Sequence, residues 1–412
     1  MAKTKSNRGV AKSRANLSDS GAQLQVLFGR IFKAQSIYFY QLLGITIFLV
    51  VFGLVMVLSA SSIDSLKANN NSFATFAKQA GFAMIGLLVM SLASIVSRGW
   101  LMAKARFFYM GFMLLQLAVL FIGIDINGNR NWIKILGIPV QPSEFLKVAV
   151  VLHVAVYLAA RTRDFDNSLT WRNAFFITGA AMAFVVFGKD LGTMLIMLVM
   201  FVGLLSLAGL PMKLLRLIVV ASVVLTPVAL TFGSSSRVGR VTAWLNPNAP
   251  DPNGYNWQSE HGMWALSAGR IFGAGLGESK MKWSWIPEVE NDFIFAIIGE
   301  ELGLIGALVI IGMFLFMAVC FNNILRRTSD LFSRYVVAGV MLWITLQALV
   351  NIAVVLRLLP VLGVPLPFVS AGGSSLLSSL MGVGLVLAIE RENHASPAPR
   401  ARTVARPVRA TR

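Results

Sequence analysis

The chain has 412 residues, 56% of them hydrophobic and only 13% charged, with a formal net charge of +18. A soluble protein of this length carries about 25% charged residues, so the composition excludes an ordinary soluble enzyme and points to an all-α polytopic membrane protein. The single cysteine, Cys320, lies in an apolar run; it cannot form an internal disulfide, and nothing suggests a metal–thiolate site.

Residues 1–36 form a basic tail with Lys3, Lys5, Arg8, Lys12 and Arg14. Its polar composition predicts disorder, and the long polar stretch before the first apolar run is not a secretory signal. Such a tail can bind nucleic acid. Its place beside a membrane span fits cytoplasmic retention and contact with anionic membrane lipids instead, and no nucleic acid partner is expected.

The membrane domain is placed at 37–392. Apolar runs predict about ten spans, at 41–60, 79–97, 107–124, 143–160, 173–188, 191–209, 213–232, 293–321, 335–358 and 374–390. Basic residues alternate with this count. Arg98, Lys104 and Arg106, then Arg161, Arg163 and Arg172, then Lys213 and Arg216, then Arg326, Arg327 and Arg334 fall on one side. The positive-inside rule makes that side cytoplasmic and puts both termini there. Residues 393–412 form a second disordered basic tail, with Arg400, Arg402, Arg406, Arg409 and Arg412.

Along the outer face the chain carries several polar segments. Asn127–Trp132 is read as a polar loop in which Arg130 suits bidentate phosphate binding and Trp132 suits the membrane interface. Gln141–Lys147 opens the fourth span. There Glu144 and Lys147 stand three apart on one face, so Lys147 pairs with Glu144, snorkels outward or meets an anionic ligand. Lys189 and Asp190 occupy an outer turn. The long loop at 233–291 holds Trp244, Trp257, Trp264, Trp283 and Trp285, which predict a loop lying on the bilayer. Its glycines Gly269, Gly273, Gly275 and Gly277 match no phosphate-loop or dinucleotide fingerprint. The uncharged, proline-rich segment 360–375 reads as a stretch that re-enters the bilayer edge.

The segment Trp283–Gly303 is the most informative. Glu288, Glu290 and Asp292 stand directly before an apolar helix that carries Glu300 and Glu301. Asp292 fits either a helix cap or a general base whose pKa the neighbouring carboxylates raise. Glu300 lies about 80° around the helix from Asp292. It fits either a structural ion pair or a partner to a buried base. Carboxylates and cations at one membrane face suit a lipid-linked phosphate substrate: cations for the phosphates, a carboxylate to deprotonate a hydroxyl.

At these residues the sequence resembles the SEDS family (shape, elongation, division and sporulation). The matching pieces are NGNRNWIKILGIPVQPSEFLK at 127–147, KDLGT at 189–193, the stretch 254–303 and NIAVVLRLLPVLGVPLPFVSAGGSSLL at 351–377, in family order. The resemblance implies ten transmembrane helices and a peptidoglycan glycosyltransferase that polymerises lipid II at the outer face of the bacterial cytoplasmic membrane. It implies Asp292 as the catalytic residue, in the family's Pro-Glu-x-x-x-Asp-Phe segment. Glu290 and Asn291 stand where a His-Thr pair is usual, and Ala371 where Tyr is usual. Arg130, Lys147, Lys189 and Lys282 are expected at the phosphates, with Gln258 and Ser279 at the sugars and Trp132, Glu144, Glu288 and Glu300 nearby. No resident cofactor is expected; a divalent cation, magnesium or manganese, is compatible with a pyrophosphate leaving group. The long tails favour a division-type member working at the septum with a class B penicillin-binding transpeptidase and other division proteins. The alternatives are an elongation-type polymerase, a lipid II flippase and a structural scaffold.

Overall fold

The computed structural model describes residues 35–395 except 127–128, 136, 162–167, 232–234, 249–250 and 252–253. Both predicted tails lie almost wholly outside the described residues. Seven helices come first: α1 (Ile37–Asn69), α2 (Ala74–Ala93), α3 (Arg98–Ile122), α4 (Pro142–Ala159), α5 (Ser168–Phe187), α6 (Leu191–Leu207) and α7 (Met212–Thr231). Two shorter ones follow, α8 (Ser235–Leu245) and α9 (Trp257–Gly269), and then α10 (Ile294–Arg327), α11 (Leu331–Val355) and α12 (Gly373–Ala395). The ten predicted spans fall on α1–α7 and α10–α12. Eight of these are long and apolar enough to cross a membrane; α6 is shorter, at 17 residues. The last helix continues past the boundary predicted at 392.

Local chemistry sets the ends. Ser97 caps α3 by accepting from the Trp100 amide, Asp190 caps α6 through the Thr193 amide, and Asp330 caps α11 through the Ser333 amide. Pro142 occupies the first turn of α4, where its missing N–H costs nothing. The most enclosed helices are α4, α11 and α12. They carry the buried polar side chains Glu144, Lys147, Gln347, Asn351 and Ser378.

The predicted polar loop between α3 and α4 is instead a three-stranded antiparallel sheet, β1 (Ile124–Ile126), β2 (Asn129–Ile135) and β3 (Ile138–Val140). Ile133 pairs with Val140 and Ile135 with Ile138, and Gly137 turns the chain between them at φ 83°. The β-branched residues at 133, 135, 138 and 140 favour this pairing.

Inside α10 the helix breaks. Gly303 has φ 69° and ψ −167°, so Ile294–Leu302 forms a half-helix ahead of the rest. The segment that follows α9 runs through the break. Its Ala274 and Gly275 amides donate to the Glu300 and Glu301 carbonyls at 2.9 and 3.0 Å. Its Arg270 and Ile271 carbonyls accept from the Leu304 and Ile305 amides at 2.9 and 3.2 Å. Broken backbone within a membrane domain persists only where protein satisfies its polar groups, and this crossing does so. The approach leaves no room for side chains: a Cβ on Gly273 would overlap the Glu301 carbonyl, and one on Gly303 the Gly273 amide. Gly273→Ala is therefore expected to cost about 1–3 kcal/mol. Thermal unfolding in detergent checks this, with Gly44→Ala, whose Cβ would meet nothing within 4 Å, unchanged or stabilised.

Candidate active site

The half-helix of α10 begins directly after Asp292, and a tight turn presents that carboxylate. Glu288 sits in the left-handed region at φ 53°, its carbonyl accepts from the amides of Asn291 and Asp292, and its carboxylate accepts from the Asn291 side chain. Two further ties fix the turn. The buried Asn351 of α11 donates from Nδ2 to the Asp292 carbonyl and to the Val364 carbonyl, each at 2.8 Å. The Ala371 amide donates to the Glu290 carbonyl at 2.8 Å. The segment 360–372 thus folds inward against Asp292, and a Cβ on Gly363 would stand 3.6 Å from Asp292 Oδ2. Its own backbone is satisfied by Gln347 at Pro365, by Gln79 at Ser370, and by the Ser370 hydroxyl at Leu366.

Asp292 opens onto a cavity of about 620 Å³. The walls also carry Glu288, Asn291, Lys189, Asp190, Arg240 and Asn131. Burial raises the Asp292 pKa from 3.8 to about 7; Glu288 and Glu290 push the same way and Arg240 opposes them. Burial, with help from Glu288 and Asp64, also raises Glu290. Asp292 therefore titrates close to neutral pH, where a general base is most effective.

The two cavity cations come from separate elements. Lys189 adopts φ 63°, an uncommon conformation for a side-chain-bearing residue. The neighbouring Asp190 side chain accepts from Gln141 at 2.7 Å and Ser143 at 3.0 Å, joining the starts of α4 and α6. Arg240 stands on α8, one turn from Trp244, whose indole donates to the Arg357 carbonyl just beyond α11 at 2.9 Å. That bond holds the helix face carrying Arg240 over the cavity. Asn131 is 3% exposed and its Oδ1 has no partner among the described residues, which leaves an acceptor for a ligand hydroxyl or amide.

The structure thus brings Trp132, Lys189, Gln258, Glu288 and Asp292 to one cavity. It places the other predicted site residues elsewhere. Arg130 donates to the Phe121 and Gly123 carbonyls at 2.9 and 3.0 Å, closing the end of α3. Glu144 and Lys147 form a buried ion pair at 3.0 Å. Lys147 also donates to Gln347 at 2.9 Å and lies 4.8 Å over the Trp343 ring, so it neither snorkels nor lines the cavity. Glu300 accepts from the Ser279 hydroxyl and from the Lys280 and Met281 amides. Glu301 accepts from Ser59 at 2.6 Å and pairs with Lys282 at 3.6 Å. Ser279, Lys282 and Glu300 therefore anchor the outer loop to the end of the half-helix. Arg240, Asn291, Asn131 and Asn351 were not singled out as site residues. Among the described residues no group of three or more His, Cys, Asp or Glu side chains could hold a metal ion.

The raised pKa of Asp292 carries a linked stability effect. Folded protein holds a proton that the unfolded chain releases above about 3.8, so this group lowers stability progressively as pH rises from about 3.8 through about 7. Asp292→Asn removes that loss. It should melt higher than the unsubstituted protein at pH 8, with the difference shrinking toward pH 4, as measured by thermal unfolding in detergent.

The chain matches the family model described as "Cell cycle protein", FtsW/RodA/SpoVE, over residues 40–395. It is 37% identical over 356 residues to the "Probable peptidoglycan glycosyltransferase FtsW" of Mycobacterium tuberculosis (strain ATCC 25618 / H37Rv), covering 84% of this chain and 67% of that one. It is 33% identical over 356 residues to the stage V sporulation protein E of Bacillus subtilis (strain 168), covering 84% and 95%. Among solved structures, a chain from work described as "Structural coordination of polymerization and crosslinking by a peptidoglycan synthase complex" superposes with a TM-score of 0.73 at 25% identity, covering 89% of this chain and all of that one. The rod shape determining protein RodA of Thermus thermophilus shares the fold, with a TM-score of 0.65 at 23% identity over 88% of this chain and 99% of its own. The chain belongs to the FtsW/RodA/SpoVE family of multi-pass membrane proteins.

Proposed function

We propose that this peptidoglycan glycosyltransferase polymerises lipid II at the outer face of the cytoplasmic membrane, with Asp292 as its general base. The observation that carries the reading is a carboxylate of near-neutral pKa opening on the same cavity as Arg240 and Lys189. Asp292 takes the proton from the 4-hydroxyl of an acceptor sugar. That oxygen attacks the anomeric carbon of an undecaprenyl-pyrophosphate-linked donor from the opposite side, the bond to the pyrophosphate breaks, and the configuration inverts. Arg240 and Lys189 offset the charge that develops on the leaving pyrophosphate. Asn131 and Gln258 orient the sugars, and Asn351 is a positioning residue that fixes Asp292 through its backbone.

The names of the curated relatives support a division role at the septum, and the charge alternation along the chain supports cytoplasmic termini. The solved relative described as part of a synthase complex that coordinates polymerization and crosslinking supports a class B penicillin-binding partner that crosslinks the strands.

Lipid II polymerisation by the purified protein with its cognate penicillin-binding partner tests the reading. Asp292→Ala should reduce strand synthesis by about 10²–10⁴-fold; strands at the unsubstituted rate would move the base elsewhere. Because the base must be ionised, the rate should rise with pH through about 7. Glu288→Gln removes one source of repulsion and should move that rise to lower pH. In the same assay Arg240→Ala should cost far more than Arg130→Ala.

A further inference from the structure

The rim of the cavity carries an aromatic surface that the reaction described above does not use. Trp257 and Trp285 lie nearly parallel, with ring centroids 6.2 Å apart and 16° between their planes. The buried His261 packs against both, at 3.9 Å from Trp257 and 5.7 Å from Trp285. The two tryptophan residues are nevertheless 45% and 50% exposed. Each is next to, or two residues from, a residue of the cavity wall: Gln258 follows Trp257, and Pro287 follows Ile286 after Trp285. Gln258 donates to the Pro287 carbonyl at 2.7 Å, so the two segments are stapled where platform meets cavity.

A membrane-interface tryptophan turns its indole N–H toward water and headgroups. Trp257 does otherwise: its N–H donates to the Trp285 carbonyl at 2.7 Å. The indole is therefore locked in place with its polar edge already satisfied, and what it offers outward is ring surface. Rigid ring faces beside amide and carboxylate groups are the chemistry that recognises pyranose sugars, whose axial C–H groups pack on an aromatic face. A strand-forming enzyme also has a geometric need. The cavity holds the reacting sugars, so the sugars beyond them must leave across its rim.

We propose that Trp257 and Trp285 form a binding platform for the β-1,4-linked amino-sugar strand outside the cavity, holding it between successive couplings. This rests on the glycosyltransferase reading above. The platform makes no contact with the reacting atoms. Its loss should therefore shorten strands without slowing the first coupling.

Two measurements test it on the full-length protein with its partner. In the first, Trp285→Leu keeps apolar bulk and the backbone acceptor while removing the ring. Trp257→Ala/Trp285→Leu should shorten mean strand length severalfold while coupling of two lipid II molecules stays within about twofold. Trp285→Phe should retain long strands. Unchanged strand length, or an equal fall in first coupling and length, would overturn the platform. In the second, binding of a lipid-free β-1,4-linked N-acetylglucosamine oligomer to the Asp292→Asn protein is followed by calorimetry. The double variant should bind at least tenfold more weakly. Equal binding by both forms, or loss of contact with brominated outer-leaflet lipid in place of sugar, would overturn the proposal and leave these rings as membrane anchors. Should the unsubstituted protein form no strands at all, the glycosyltransferase reading fails on the first measurement, and the second still decides whether the platform takes sugar.

Discussion

The break in α10 is the constraint on which the rest of the site depends. An unbroken helix would carry the chain from Asp292 to the far side with no opening for another segment. At Gly303 the ladder stops, and the stretch after α9 supplies the donors and acceptors that the break releases. The half-helix Ile294–Leu302 then has two working ends. Asp292 stands ahead of its first residue, facing the cavity. Glu300 and Glu301 stand at its last turn, where Ser59, Ser279, Lys280 and Lys282 hold them. Adjacent buried carboxylates are tolerable only with such partners, so one short piece of helix couples the ionic anchor of the loop to the position of Asp292.

Around that piece, buried amide side chains tie the surrounding segments together by donating to backbone carbonyls. Asn351 reaches both the Asp292 turn and the segment 360–372, and Gln347 reaches Pro365 while also receiving Lys147. Buried amides suit this work because each offers donors and an acceptor in one plane. The Glu144–Lys147 pair lies one layer behind the cavity. Its place is to hold α4, α11 and α12 together, with Ser378 closing the carboxylate.

Most of the helical architecture was legible because lipid-facing helices read as long apolar runs. The place of Asp292 on a polar cavity was legible because a cluster of carboxylates beside an apolar helix has few bland explanations. Three things were hidden. The sheet at 124–140 looked like a polar loop, since its β-branched residues are short and interrupted by charge. The break at Gly303 was invisible, because a glycine after Glu-Glu-Leu is tolerated in a helix and only the crossing chain reveals its geometry. Arg240 is one basic residue among many in the sequence; what selects it is the Trp244 bond to a carbonyl more than a hundred residues away in sequence. Conversely, Ser279, Lys282 and Glu300 had the right chemistry for substrate and a different employment, which spacing alone does not distinguish.

The threaded break also has a mechanical consequence. Two of these hydrogen bonds join the segment after α9 to the half-helix and two join it to the helix beyond the break, and releasing any of them in an apolar medium would strand a polar group. The segment is therefore clamped to both pieces of α10. A pull on the loop, applied from outside the membrane, is not absorbed locally. Part of it passes along the roughly 14 Å of the half-helix toward the Asp292 carboxylate, and the rest passes into the helix beyond the break.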